Sequence, residues 1–223
     1  MEKKQLQILS SELKIAPERI LREYWEIIVL NELSNEEWSS ALGFKGGTAL
    51  RLAYGSPRFS DDLDFSLLTP LKSSKVFSWA NSLAKRLKLE VIDAADKRNT
   101  ILAEFRIRDE ALAQPIKQKI EISKRTQNKA KRDFELRLIS SPTSNLQALF
   151  LVASIDFIWV EKISALKSRK EPRDLFDLWY ISQKLKRQLP SDLPKISPKT
   201  LKLTLNKYLP LKYQRIVEEL TKL

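Results

Sequence analysis

Two short runs concentrate the groups that could do chemistry. Lys45-Gly46-Gly47-Thr48-Ala49-Leu50 holds two of the chain's four glycines, and Arg58-Phe59-Ser60-Asp61-Asp62-Leu63-Asp64-Phe65 packs three aspartates into four positions. On a strand, residues i and i+2 point the same way, so Asp62 and Asp64 share a face while Leu63 and Phe65 turn to the core. Two such carboxylates repel unless a cation neutralises them. Mg2+ is the natural one, because it takes oxygen ligands and completes its shell with phosphate oxygens. A glycine pair lets phosphate oxygens approach the main chain, and a helix opening near Thr48 would point free N–H groups and its positive dipole end outward. Thr48 or Ser60 adds a hydroxyl donor. Taken singly, a D-x-D is most often a solvated strand face and a Gly-Gly the end of a strand. In the order Gly-Gly, helix, loop, strand with D-x-D, they predict donors for a triphosphate beside a clamp for its metal, which is the equipment of phosphoryl or nucleotidyl transfer.

Composition narrows the remaining chemistry. The chain has 223 residues, 43% of them apolar, enough for one two-lobed domain or two small ones. It has no Cys and no His. Thiolate nucleophiles, disulfides, cysteine-bound zinc and the usual neutral-pH proton shuttle are therefore excluded. Carboxylates, Lys, Arg, hydroxyls and a hard oxygen-bound metal remain. A formal net charge of +12 favours polyanionic partners. The start, MEKKQLQIL, lacks the apolar core of a signal peptide. The most apolar run, Leu146 to Val160, is too short to span a bilayer and carries Gln147 and Asp156. A soluble, cytoplasmic protein with no membrane partner is expected.

These groups need elements to hold them. Pro17 reads as the first turn of a helix running to about Leu33, with Ile20, Tyr24, Ile27, Ile28 and Leu30 as its buried stripe. Ser34 and Glu37 read as a capping box, and Gly43 as the close of a short helix. A brief strand ends at the glycines, a helix runs from Thr48 to Gly55, and DLDFSLL alternates as a half-buried strand. Ser73 or Ser74 opens a further helix, and strands follow at 89–93, 101–107 and 116–122. From about Ser144 the pattern reads as helical, with Ile155, Ile158, Trp159, Ile163 and Leu166 on one inner face. Further helices start at Pro172 and Pro198, and Leu211 to Leu220 forms the last. The expected class is α/β (α+β): a mixed-sheet lobe over 1–140, then a helical lobe over 141–223.

Two later groups bear on the site. Glu121, flanked by Ile120 and Ile122, points away from the core; it either faces the aspartate pair or lies exposed beside Lys119. In EKISALKSRKEPRDLFDL, Lys162 and Arg169 lie seven apart on one helix face, and Asp174 and Asp177 are one turn apart on the next helix. Spacing alone allows phosphate contacts or a plain Arg–Asp salt bridge across the turn.

The order Gly-Gly, helix, strand with D-x-D is similar to the polymerase-beta-like nucleotidyltransferase superfamily. KGGTALRLAYGSPRFSDDLDF followed by EKISALKSRKEPRDLFDL resembles, more narrowly, the AbiEii/AbiGii family of nucleotidyltransferase toxins, over roughly 40–67 and 155–182. No match is visible after about Gln183. The resemblance implies that Gly46, Gly47, Asp62 and Asp64 bind a nucleoside triphosphate and Mg2+, and that Lys162 and Asp174 are needed for activity. Arg58 and Ser60 match the family's lead into the D-x-D, and Arg169 and Thr48 join the nucleotide-binding set. Glu121 is the candidate third metal ligand, and Glu121 or Asp174 the candidate base. Asp61 falls in a slot that the family does not fix. The resemblance further implies a toxin of a two-gene toxin–antitoxin system, some of them phage-defence systems. Its partners would be a nucleoside triphosphate, an RNA acceptor (the tRNA 3′ end in some members) and a cognate antitoxin, and its effect a block of translation.

Charge helps choose the acceptor. Basic residues cluster at Lys117, Lys119, Lys124, Arg125, Lys129, Lys131 and Arg132, and again at Lys184, Lys186 and Arg187, with Lys195, Lys199 and Lys202 beyond. Such a chain attracts an RNA backbone. The alternatives are a small-molecule, antibiotic-type nucleotidyltransferase, whose cationic substrate calls for an acidic cleft, and a non-catalytic basic nucleic-acid-binding module, which leaves the aspartates unexplained.

Overall fold

Alternation and turn chemistry build most of the sheet. In a computed structural model, which describes residues 1–126 and 131–222, seven strands form one mixed sheet in the order β3-β4-β5-β2-β1-β7-β6. They are β1 (Leu42–Lys45), β2 (Asp62–Leu67), β3 (Glu90–Lys97), β4 (Thr100–Ile107), β5 (Ile116–Ser123), β6 (Phe134–Ser141) and β7 (Ser144–Ala153). β1 runs antiparallel to β2 with Lys45 opposite Asp64. β2 runs parallel to β5 with Asp62 opposite Lys119 and Asp64 opposite Glu121. Paired residues share a face, so Lys45, Asp64 and Glu121 stand on one side of the sheet. Phe44, Phe65, Ile120 and Ile122 stand on the other, in the core.

Helices α1 (Lys3–Leu13), α2 (Pro17–Ser34) and α4 (Ser73–Leu87) belong to this first core. Pro17 sits in the first turn of α2. The helix is buried more widely than a single stripe: Leu21, Val29 and Leu33 join Ile20, Ile27 and Leu30, while Tyr24 and Ile28 are only half-buried. Two glutamates are buried with them. Glu23 is taken by Arg51 and Ser141. Burial and the neighbouring Glu23 push Glu26 well above the carboxylate range.

A second core is built from α5 (Ile155–Arg169), α6 (Pro172–Leu185), α7 (Pro198–Leu205) and α8 (Gln214–Leu220), joined by Leu50 of α3 (Gly46–Tyr54) and by Phe134. Four helices stop on a lysine in the left-handed region, Lys14, Lys88, Lys170 and Lys186, with φ of 50–55°. Glycine usually takes that position; of the chain's four, only Gly55 does so, at the end of α3, and the others serve β1 and the turn that opens α3.

Four expectations fail here. The run from Ser144 is not helical. It is β7, the second arm of a hairpin with β6 that turns at Pro142-Thr143, and residue 140 falls inside that hairpin. From Ala148 to Ala153 β7 is apolar on both faces, so that stretch shows no period that separates a strand from a buried helix. The helical segment begins at Ile155, where the Ser154 hydroxyl accepts from the Phe157 N–H at 3.2 Å. No capping box forms: Ser34 is the last residue of α2 and bonds Asn31 O, and a 3-10 turn, Glu37–Ala41, follows. Gly43 does not close that turn. It lies in β1, where the Phe134 ring occupies the space that a Cβ would need. α3, moreover, begins at Gly46, two residues before Thr48, and closes at Gly55 as expected.

Candidate active site

A cleft of about 620 Å3 opens on the acidic side of the sheet, between β1, β2, β5 and α5. Lys45, Gly46, Asp64, Glu121, Lys162 and Arg169 line it, together with Thr100, Ser123 and Arg125. Gly46 adopts φ of +79°, and a Cβ there would overlap the Asp64 carboxylate. The turn thus needs glycine twice over, for its backbone and for the approach of Asp64. A Cβ on Gly47 would overlap the Arg58 guanidinium and fall 2.8 Å from Ser60 Oγ. The N-terminus of α3 is therefore gripped from beneath by Arg58 and Ser60, and its first turn lies beside Asp64.

Charge in the cleft is arranged in opposition. Burial raises Asp64 to about 6, and the neighbouring Asp62 and Glu121 add to the rise against the pull of Lys162 and Lys45. Burial also raises Asp62, with Lys119 opposing it. Lys119 Nζ stands between two of the carboxylates, 3.3 Å from Asp62 and 3.2 Å from Glu121. No three carboxylates among the described residues come close enough to hold one ion. The donor set nevertheless suits a hard cation: three oxygen-bearing side chains on one face, one of them with its ionisation opposed by its surroundings.

Beneath the cleft lies a buried cluster of ions. Lys162 occupies the inner face of α5, with Ile158 and Trp159 before it and Leu166 after. Its Nζ is 2.8 Å from Asp174 and 2.5 Å from Asp177. Arg169 makes a bidentate contact to Asp174, at 2.6 and 2.9 Å. Arg58 makes another to Asp177, at 2.7 and 2.8 Å, and donates to Phe59 O. Burial alone would raise Asp174, but Arg169 and Lys162 outweigh it and hold the carboxyl at about 2. Burial is likewise overridden at Asp177, by Arg58 and Lys162.

The predicted residues thus separate. Gly46, Asp64, Glu121, Lys162 and Arg169 meet at the cleft, and Asp62 stands beside them through Lys119. Thr48 is fully buried and donates to Asp62 O at 2.6 Å, so its hydroxyl ties α3 to β2. Arg58 is 2% exposed, its guanidinium spent on Asp177 and Phe59 O, and Asp174 is wholly buried behind Lys162 and Arg169. Asp61 faces Arg19, Arg173 and the Tyr208 hydroxyl, away from the aspartate pair. Lys119, Asp177 and Lys45, which pairs with Glu161 at 2.8 Å, are visible in the sequence motifs but have no place in the site predicted from them. A signal existed for Asp177: it follows Asp174 by one helical turn. Of the basic residues, Arg125 reaches the cleft, Lys124 is held by Asp96 and Arg187 by Asp156. Lys129 lies outside the described residues.

The family model described as "Nucleotidyl transferase AbiEii toxin, Type IV TA system" matches residues 28–209. This chain belongs to the AbiEii family. It is therefore a nucleotidyltransferase of a toxin–antitoxin family, which implies a nucleoside triphosphate substrate and an antitoxin partner, and the non-catalytic binding module is set aside. The match runs past Gln183, so α7 belongs to the AbiEii region as well. Two crystal structures share the fold. JHP933 from Helicobacter pylori aligns with a TM-score of 0.58 and 19% identity over 93% of this chain and 79% of its own. A second H. pylori protein aligns with a TM-score of 0.55 and 19% identity over 89% of this chain and 93% of its own. A search among curated proteins returned no match. No helix among the described residues is long and apolar enough to cross a membrane.

Proposed function

We propose that this AbiEii-family chain is a cytoplasmic Mg2+-dependent enzyme that transfers a nucleoside monophosphate from a triphosphate to the 3′ hydroxyl of an RNA, tRNA first among them, and so blocks translation. A role in phage defence would follow from that block. The observation that carries this reading is one cleft holding both the acidic face of β2 and β5 and the N-terminal turn of α3, with Lys162 and Arg169 opposite. Asp62, Asp64 and Glu121 would hold Mg2+, which when bound supplies charge neutralisation for the triphosphate and eases loss of the hydroxyl proton.

The chain's own groups do the rest. The turn at Gly46-Gly47 offers main-chain N–H groups to phosphate oxygens, and Ser60 adds a hydroxyl beside them. Lys162 and Arg169, on the opposite wall, balance the charge that develops on the leaving pyrophosphate. The hydroxyl oxygen attacks the α-phosphorus in line, the bond to the bridging oxygen breaks, and pyrophosphate departs. Of Glu121 and Asp174, Glu121 is favoured as acceptor of the hydroxyl proton. It lines the open cleft, whereas Asp174 is buried under two cations that hold it at about 2. Arg58, Thr48 and Asp174 act from behind, by fixing the α3 turn, β2 and Lys162.

An acceptor with negative charge fits the chain's net charge of +12 better than a cationic antibiotic does, and Arg125 brings a further cation to the cleft beside Lys45, Lys162 and Arg169, which are each paired with a carboxylate. The decisive experiment incubates the protein with each labelled nucleoside triphosphate, Mg2+ and total RNA. Label is expected at an RNA 3′ end and is expected to vanish with EDTA. Label that appears on a small cationic compound instead, or that persists in EDTA, would reject the proposal.

Lys119 supplies a separate test. It competes with any cation for Asp62 and Glu121, and an ion pair of this exposure is worth up to about 1 kcal/mol with each partner. Lys119→Met is expected to tighten Mn2+ binding without nucleotide by about tenfold, read by electron paramagnetic resonance. Unchanged or weaker binding would mean that the metal does not use these carboxylates.

A further inference from the structure

The edge strand β6 presents a different surface. It is the outermost strand of the sheet, with β7 and β1 between it and β2. Its register sets Leu136 opposite Leu151 and Leu138 opposite Leu149, so these leucines share one face. Leu136 is 64% exposed, Leu138 56% and Leu149 52%. Soluble proteins usually blunt an open edge with charge, proline or a bulge. This edge has an irregularity only at its far end, between Ile139 and Ser141, and over Phe134-Glu135-Leu136-Arg137-Leu138 its charges do not simply repel a second copy: the run repeats itself about Leu136, apolar for apolar and with the charge inverted.

We propose that two copies of this chain associate by pairing β6 with β6, antiparallel and centred on Leu136. In that register each Glu135 faces the partner's Arg137, each Phe134 faces the partner's Leu138, and Leu136 meets its own counterpart. Moving the centre to Glu135 or to Arg137 sets like charges opposite each other, so charge selects one register from its neighbours. Glu135 and Arg137 already lie 2.8 Å apart within one copy, both partly exposed, and Arg137 gives up its stacking on the Tyr54 ring when it turns to the partner. The leucine faces of the two hairpins then abut, and the two sheets become one. The inference is independent of the nucleotidyl-transfer chemistry, since the carboxylates lie three strands away.

The chain has no cysteine, so an engineered one reports only on itself. Facing residues of an antiparallel pair have Cα atoms about 4.5–5.5 Å apart, within disulfide range. Leu136→Cys is expected to form a disulfide-linked dimer under mild oxidation, and Leu203→Cys, equally exposed on α7, is not. In sedimentation equilibrium the unmodified chain is expected to dimerise with increasing concentration. Glu135→Arg should weaken that association at least tenfold, and the swapped E135R/R137E chain should recover it. Leu136 is an exposed position, so its cysteine variant should fold and keep the test valid if the charge variants do not. A chain that stays monomeric at every concentration, or a Leu136→Cys variant that links no faster than Leu203→Cys, would overturn the proposal.

Discussion

Asp64→Asn is expected to make the protein more stable and inactive at once. Asp64 is a carboxylate whose charge is opposed by burial, by Asp62 and by Glu121, which together raise it from 3.8 to about 6. At neutral pH the folded chain bears the cost of ionising it there. Even discounted for its partial exposure, that cost is on the order of 2 kcal/mol. Removing the charge should raise the melting temperature at pH 7.5 by about 4–8 °C for a chain of this length. The sign with pH follows from linkage. An acid raised in the folded state binds its proton more tightly there, so the unmodified chain loses stability as pH rises from about 4 through 6. The advantage of the asparagine variant should therefore shrink as pH falls through that window. Nucleotidyl transfer should fall by about 100-fold or more, because the amide can neither hold a cation as well nor complete the acidic face. Calorimetry across pH, beside a transfer assay, checks both halves. A variant that is less stable yet fully active would remove Asp64 from the site.

Arg58→Met should have the opposite character, a large loss of stability. The guanidinium is 2% exposed and its partner Asp177 is fully buried, so the substitution strips a buried carboxylate of its bidentate contact. Breaking such a pair from one side costs about 3–5 kcal/mol. The melting temperature should fall by about 10 °C. Lys162 still faces Asp177, which places the loss toward the lower end of that range. Adding Asp177→Asn removes the orphaned charge, and the double variant should be less damaged than the sum of the two single changes. Nucleotide affinity, measured at low temperature where the variant is folded, separates the roles. A loss of affinity with no loss of stability would return Arg58 to direct contact with the nucleotide, as the motif alone suggested. Asp174 and Asp177, both held below the usual carboxylate range, should also set the acid limb: the stability they provide is present above about pH 4 and is lost as pH falls below it, toward about 2 for Asp174.

Where the sequence failed, it failed for identifiable reasons. Ser34 and Glu37 have the spacing of a capping box, but α2 simply runs through to Ser34. From Ala148 to Ala153 β7 is apolar on both faces, and an unbroken apolar run fits a buried helix as well as a central strand. Arg58 and Thr48 have the residue types of nucleotide contacts. Whether such a group faces ligand or core depends on what packs over it, and Asp177 comes from a helix 119 positions away.

By itself, the sequence determined the chemistry: oxygen donors and cations with neither thiol nor imidazole, a D-x-D whose two carboxylates must share a face, and a glycine turn opening a helix. These follow from composition and from two- and four-residue spacings, which act locally. Only the tertiary structure decided which groups meet. The parallel pairing of β2 with β5 sets Glu121 opposite Asp64 and slips the Lys119 amine between Glu121 and Asp62. The packing of α5 and α6 buries Asp174 and Asp177 beneath Lys162. Such contacts join residues far apart in the chain, and their charge balance depends on distances and burial that no local pattern encodes.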